Sequence, residues 1–166
     1  MRGNHDLAET TCSCSVRFIV PSLASAQAAK AFDAQSLDRI VASHKGKPFL
    51  LLVWSMDCEF CQASLNNMAK ARASHPGLDI VTVSTDPIGD RALGAQMRKR
   101  LASLSLADEY WSFGSDSPER LRFALDPRWR GEKPRSYWYD ADGRRTAYSG
   151  TVTPEKLNEW QHKQAR

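Results

Sequence analysis

The apolar run Pro48-Phe49-Leu50-Leu51-Leu52-Val53-Trp54 is followed four residues later by Cys58-Glu59-Phe60-Cys61. An uninterrupted apolar segment of this length is too short for a buried helix and is typical of a strand covered on both faces. The next segment, from Glu59 to Ser74, has apolar residues at helical spacing and stops at Pro76-Gly77. The sequence therefore predicts a central strand that delivers two cysteines to the start of a helix.

This placement of the cysteine pair favours redox chemistry. Two thiols three positions apart can form a disulfide with each other across one helical turn. At a helix N-terminus, the backbone N–H groups and the helix dipole favour a thiolate over a thiol. A purely structural disulfide is disfavoured, because so short a loop restricts the unfolded chain little. The pattern predicts thiol–disulfide exchange through Cys58 and Cys61.

The rest of the chain alternates further strands with helices. An Asp-Gly pair at 142–143 between two strand patterns predicts a terminal hairpin. From the first apolar strand onward the predicted order is β-α-β-α-β-α-β-β-α, which gives a central mixed sheet with helices on both faces. Predicted helices begin near Ser36, Glu59, Asp90, Ser117 and Thr153, and predicted strands cover 48–54, 78–84, 110–113, 135–140 and 144–149.

Length and charge limit the function classes. The 166 residues suit one domain, and no segment is long and apolar enough to cross a bilayer, so we expect a soluble mature protein. The net charge of +4 is mild. Basic residues cluster at 98–100 and 128–135 without a recognition motif, so they are interpreted as solvated and no nucleic-acid partner is expected.

The other potential metal ligands do not form a site. Cys12 and Cys14 have one residue between them, which is tighter than a structural zinc knuckle. The four histidines are scattered, and Met56 alone adds too little for a copper site. We therefore expect no metal and no cofactor other than the redox-active Cys58–Cys61 pair.

The N-terminal segment, residues 1–30, has two interpretations. Ala24-Ser25-Ala26 has the small-x-small form of a signal-peptidase site, and Arg17 lies next to a short apolar patch. Acidic residues before the patch and Pro21 after it depart from that pattern. As a signal, the segment predicts a periplasmic or cell-envelope protein that loses Cys12 and Cys14. As a plain tail, it predicts a cytoplasmic one. Residues 31–166 form the predicted domain.

Several motifs surround the cysteine pair. Gly46-Lys47-Pro48 comes before the apolar strand, Trp54 before Cys58, and a long insertion before Pro134; the strand after Pro134 ends in Asp140-Ala141-Asp142-Gly143. Together with the Cys-x-x-Cys pair, these features resemble the thioredoxin fold and, within it, the TlpA/ResA-like family of exported thiol–disulfide oxidoreductases. The resemblance covers residues 36–161 and implies an enzyme with a three-layer α/β fold, a central mixed sheet and helices on both faces.

The resemblance also implies residue roles. Cys58 is implied to attack the substrate disulfide and Cys61 to resolve the mixed disulfide. Pro134 takes the position of the family's cis-proline, which lies beside the dithiol and offers backbone to the substrate; an ordinary trans proline is the alternative. Leu52 stands where thioredoxin has a buried carboxylate, so the proton acceptor for Cys61 is not assigned.

Residues around the pair are candidates for substrate contact. Trp54 is predicted to pack beneath the dithiol, and Phe60 either shields Cys61 or meets the partner, or else is a plain core residue. Asp57 and Glu59 flank Cys58 and should raise its pKa, which predicts a reductant or a middling exchanger; alternatively both are solvated and Asp57 caps the helix. The residues that we place at the substrate surface are Trp54, Glu59, Phe60 and Lys133.

The leading functional prediction is an enzyme that reduces protein disulfides in the cell envelope. The resemblance implies a membrane electron donor as a second partner, and we expect a monomer. A disulfide oxidase or isomerase of the same fold is one alternative. A non-enzymatic carrier or binding module, in which the two thiols hold a soft ion such as Cu(I), is the other.

Overall fold

One mixed β-sheet with helices on both faces forms the part of the chain that the computed structural model describes, residues 28–164. The signal-like stretch up to residue 27, with Cys12 and Cys14, lies outside the described residues. The elements are β1 Lys30–Phe32, α1 Ser36–Ser43, β2 Phe49–Trp54, α2 Glu59–Ser74, β3 Asp79–Pro87, α3 Arg91–Ser103, β4 Tyr110–Phe113, α4 Pro118–Leu125, β5 Arg135–Tyr139, β6 Arg145–Ser149 and α5 Pro154–Gln164.

The strand order is β1-β4-β3-β2-β5-β6. Strands β1 to β4 pair in parallel, whereas β5 is antiparallel to β2 and to β6. In the middle of the sheet, Leu51 of β2 lies between Val81 and Tyr137. Every residue of β2 is buried, which confirms the predicted central strand.

Two hydrophobic cores lie on opposite faces of the sheet because successive β2 side chains point in opposite directions. Leu50, Leu52 and Trp54 belong to the first, which we call the α2-side core; Leu51 and Val53 belong to the second, the α1-side core. The α2-side core also contains Cys61, Leu65 and Met68 of α2, Met97 and Leu101 of α3, and Leu157 of α5, and the α1-side core contains Ile40 of α1 and Leu121 and Leu125 of α4.

The structure adds one strand to the predicted order. Strand β1 pairs in parallel with β4, and its three residues are too few to show a periodic pattern. It begins at Lys30, a residue that the sequence analysis assigned to the N-terminal segment. Strand β3 is also longer than predicted and changes register between Ser84 and Pro87. No helix within residues 28–164 combines the length and apolar character needed to span a membrane.

Candidate active site

The two cysteines lie where β2 passes into α2. Cys58 is the N-cap residue of α2; its carbonyl accepts hydrogen bonds from the N–H groups of Cys61 and Gln62, each at 3.1 Å. The two sulfurs form a disulfide, with Cα atoms 5.2 Å apart. Cys58 is partly exposed and Cys61 is fully buried. Cys58 is therefore the more accessible of the two to an incoming disulfide, while Cys61 is protected from solvent.

The start of α2 also provides electrostatic support for a thiolate at Cys58. Its Sγ accepts a hydrogen bond from the Cys61 N–H at 3.2 Å, in the position of a helix-capping acceptor. When the disulfide is reduced, this N–H and the positive end of the helix dipole favour the charged form of Cys58. Cys61 is buried among apolar side chains, which favours its neutral thiol.

Pro134 lies at the end of the sheet from which Cys58 emerges. Val53 pairs with Arg135 in the antiparallel β2–β5 ladder. The next step along that ladder puts Pro134 beside the end of β2. The Lys133–Pro134 peptide bond is cis, and Pro134 is buried. The cis bond and the register put Pro134 at the end of the sheet where the β2–α2 loop begins, while its contact with the dithiol and its role in binding substrate stay predictions.

The loop between β2 and α2 is fixed through the backbone of Met56. Its N–H donates to Asp86 Oδ2 at 2.9 Å, and the same oxygen accepts from the Ser84 hydroxyl at 2.8 Å. Its carbonyl accepts from the side-chain amide of Gln62 at 3.4 Å, and Arg100 Nε donates to Gln62 at 2.8 Å. Strand β3 and helix α3 thus hold the loop that carries Cys58.

Sequence reasoning did not identify these supporting residues. For Asp86 a signal exists, because it follows the predicted strand 78–84 at the edge where parallel strands end and polar groups of α/β sheets collect. Gln62 and Arg100 carry no such signal, since their contact depends on how α3 packs against α2.

Replacing Asp86 with Ala is expected to lower the free energy of unfolding by about 1.5–3 kcal/mol, because the Met56 N–H loses a charged acceptor. Urea unfolding of the oxidised protein measures the change. Asp79→Ala is the matched control, since Asp79 begins the same strand and its half-buried carboxylate makes no hydrogen bond or ion pair within residues 28–164. Equal losses in the two variants would contradict a role for Asp86 in holding the loop.

A second set of polar contacts involves residues that precede Cys58 in the same loop. The ammonium group of Lys133 donates to Ser55 Oγ at 2.6 Å and to Thr85 Oγ1 at 3.3 Å. Ser55 in turn donates to Asp57 Oδ1 at 2.5 Å, and the Lys133 nitrogen lies 3.9 Å from that oxygen. The hydrogen bond from Ser55 and the charge of Lys133 hold the pKa of Asp57 below its usual value.

The structure separates the four residues that were predicted at the substrate surface. Trp54 is fully buried in the α2-side core with Cys61, so it supports the dithiol from below and has no surface to offer a substrate. Phe60 is 66% exposed, which excludes the core alternative. Glu59 is exposed and makes no hydrogen bond or ion pair within the described part of the chain. Lys133 is already bound to Ser55 and Thr85.

Similarity to known proteins is found among solved structures. No family model matches the sequence, and no curated protein matches it. A secreted disulfide oxidoreductase of Mycobacterium tuberculosis homologous to DsbE of E. coli has a TM-score of 0.52 and 22% identity, over 75% of this chain and 84% of that one. StoA from Bacillus subtilis has a TM-score of 0.53 and 21% identity, over 70% and 84%.

A third similar structure is a thiol:disulfide interchange protein of the thioredoxin family from Chlorobium tepidum TLS. Its TM-score is 0.57 at 16% identity, over 75% of this chain and 84% of that chain. At such identities the likeness concerns the fold. The chain has the thioredoxin-like α/β fold, as the resemblance implied.

Proposed function

We propose that this protein is a thiol–disulfide oxidoreductase that acts on other proteins through Cys58 and Cys61. The observation that carries the proposal is the disulfide between a partly exposed Cys58 at the N-cap of α2 and a buried Cys61 one turn further along. Two of the three similar structures support it, because the M. tuberculosis protein is described as a disulfide oxidoreductase and the C. tepidum protein as a thiol:disulfide interchange protein.

The exchange proceeds in two steps in the reducing direction. The Cys58 thiolate attacks one sulfur of a substrate disulfide; the substrate S–S bond breaks, and its other sulfur leaves as a thiolate. Cys61 then gives up its proton, which ends on the released substrate thiolate or in water, and attacks the Cys58 sulfur of the mixed disulfide, which releases the second substrate thiolate. The substrate gains two electrons and the protein ends with the Cys58–Cys61 disulfide. A dithiol donor returns the protein to its reduced state by the reverse exchange.

We propose that the exchange runs in the direction of substrate reduction and that the protein acts in the cell envelope. The uncompensated charge of Glu59 beside Cys58 supports the direction, because it disfavours the thiolate and so weakens the reduced state. The signal-like segment and the secreted M. tuberculosis protein support export. A membrane electron donor would return the protein to its reduced state. We propose that the protein acts as a monomer.

Cys61→Ser is expected to accumulate covalent complexes with substrate proteins, because Cys58 still attacks but nothing resolves the mixed disulfide. Separation of cell extracts without reducing agent detects these complexes, and dithiothreitol should cleave them by reducing the mixed disulfide. Cys58→Ser is the matched control and should form none, since Cys61 is fully buried. If Cys61→Ser traps nothing while the purified wild type contains one soft metal ion per chain, the carrier alternative replaces the enzyme.

A further inference from the structure

Lys133 is the cation that the fold brings to the loop before Cys58. It precedes Pro134 in the chain. Its ammonium group donates hydrogen bonds to the hydroxyl of Ser55, the residue after β2, and to the hydroxyl of Thr85 on β3. Its side chain is 27% exposed, while Ser55 is 1% exposed. A lysine held by two hydroxyls at such a junction is fixed in place, unlike an ordinary solvated surface lysine.

The contacts of Lys133 lead to Asp57, the residue before Cys58. The Ser55 hydroxyl accepts a hydrogen bond from Lys133 and donates one to Asp57 Oδ1, so the three groups form one chain of hydrogen bonds. Asp57 is otherwise open to water, with 86% of its side chain exposed. The ammonium group at 3.9 Å therefore offsets a carboxylate charge that would oppose a thiolate on the next residue.

The other charges around Cys58 do not replace this contribution. Glu59, on the same helix, is exposed and adds a negative charge. From β3, the carboxylate of Asp86 faces the Met56 N–H and is also negative. From α3, Arg100 is positive, but its guanidinium contacts Gln62 and Asn66 on α2 and reaches the loop only through Gln62. Lys133 is thus the cation that directly contacts the Ser55–Asp57 segment within the described residues.

We propose that Lys133 is a positioning residue of the exchange reaction: through Ser55 it orients and neutralises Asp57, and it thereby favours the thiolate of Cys58. This inference rests on the proposed function for its biological meaning, but its physical content concerns Cys58 alone. Its contacts belong to Ser55, Asp57 and Thr85 and do not involve the bond between the sulfurs, so we expect them in the reduced protein as well.

Lys133→Met tests the proposal, because Met keeps most of the side-chain length and removes the charge. In the reduced protein, thiolate absorbance near 240 nm against pH should show the Cys58 titration midpoint about 0.5–1 pH unit higher than in the wild type. In equilibration with glutathione, the ratio of disulfide to dithiol protein should rise about three- to tenfold, because the reduced state contains the thiolate that the substitution destabilises. Lys133→Arg keeps the charge and should restore most of both values.

Three further variants show whether the effect runs through Asp57. Asp57→Asn should lower the midpoint, and the shift caused by Lys133→Met should be smaller in an Asp57→Asn background, because less charge remains to be offset. Lys47→Met is the matched control; Lys47 is an exposed lysine at the opposite end of β2 and should leave the midpoint unchanged. Circular dichroism and urea midpoints identify any variant that loses structure.

The two proposals fail in distinguishable ways. Equal midpoints in the wild type and in folded Lys133→Met, or an equal shift in Lys47→Met, would overturn the role of Lys133 even if Cys61→Ser traps substrates. Absence of trapped substrates with a clear Lys133-dependent midpoint would instead overturn the oxidoreductase and leave the charge effect on Cys58 established.

Discussion

Asp126→Asn is expected to lower the free energy of unfolding by about 3–5 kcal/mol, although Asp126 lies outside the candidate active site. This carboxylate is 1% exposed, beside the α1-side core. Its Oδ2 accepts from Arg135 at 3.0 Å, its Oδ1 accepts from the Arg128 N–H at 3.0 Å, and Arg145 lies 3.9 Å away. Asn removes the charge and leaves the guanidinium groups of Arg135 and Arg145 without their buried anion.

The same contacts give this stability a defined pH dependence. Burial alone would raise the pKa of Asp126, but the hydrogen bonds from the Arg128 N–H and from Arg135, with the charges of Arg145 and Arg135, outweigh it and hold the pKa below its usual value. A carboxylate whose pKa is lowered on folding stabilises the protein above its unfolded pKa, and this contribution is lost as pH falls through the folded pKa. The stability difference between the wild type and Asp126→Asn should therefore shrink below about pH 4.

Urea unfolding of both proteins at pH 7 and at several values below pH 4 measures this difference. Asp142→Asn is the matched control, because Asp142 has 71% of its side chain exposed and pairs with Arg144 at the surface. Such an exposed pair contributes little to stability, so the free energy of unfolding of the control should be close to that of the wild type at every pH. If the gap between the wild type and Asp126→Asn stays constant through the acid range, the charge of Asp126 is not the source of its stabilisation.

Sequence patterns predicted most of the fold because its elements are strongly periodic or clearly bounded. The apolar run that became β2 is buried along its full length, and α2 spans Glu59–Ser74 as the spacing indicated. The Asp-Gly turn joins β5 and β6, with Gly143 at a φ of +79° that favours glycine. Strand β1 was missed because it depends on β4 as a partner and not on a pattern of its own.

The site was predictable where chemistry is encoded in adjacent residues and not where it depends on packing. Cys58 and Cys61 form the disulfide that their spacing allowed. Trp54 is fully buried in the same core as Cys61, which leaves no exposed surface for the substrate contact predicted for it, because burial depends on the helices that cover β2. The contact of Lys133 with Ser55 spans 78 positions in the sequence, so only the β2–β5 pairing brings the two together.

The proton acceptor for Cys61 is one question on which structure and sequence agree. Leu52, at the position of thioredoxin's buried carboxylate, is fully buried in the α2-side core. The buried carboxylate within residues 28–164 is Asp126, which lies toward the opposite face of the sheet and is held by arginines. Beside Leu52 in the sheet, the hydroxyl of Thr82 is buried and has no hydrogen-bond partner in the described structure. Within residues 28–164, the α2-side core around Cys61 thus contains no buried carboxylate to accept its proton.

The variant Cys58→Ser/Cys61→Ser is expected to lose all disulfide exchange and to remain folded. A serine hydroxyl cannot replace the thiolate as nucleophile, so reduction of a peptide disulfide should fall to the rate without protein. The lost cross-link closes a loop of only a few residues, and the chain-entropy relation gives about 2 kcal/mol for it, less than the loss expected for Asp126→Asn.

A peptide-disulfide reduction assay and urea unfolding measure the two effects separately, and reduced wild type is the control for the missing bond. Residual exchange in the double variant would show that sulfurs other than Cys58 and Cys61 can perform the reaction. A stability loss as large as that of Asp126→Asn would mark the Cys58–Cys61 bond as a structural cross-link. The expected pattern, complete loss of exchange at a small loss of stability, requires a disulfide that can open and close while both cores of the sheet stay intact.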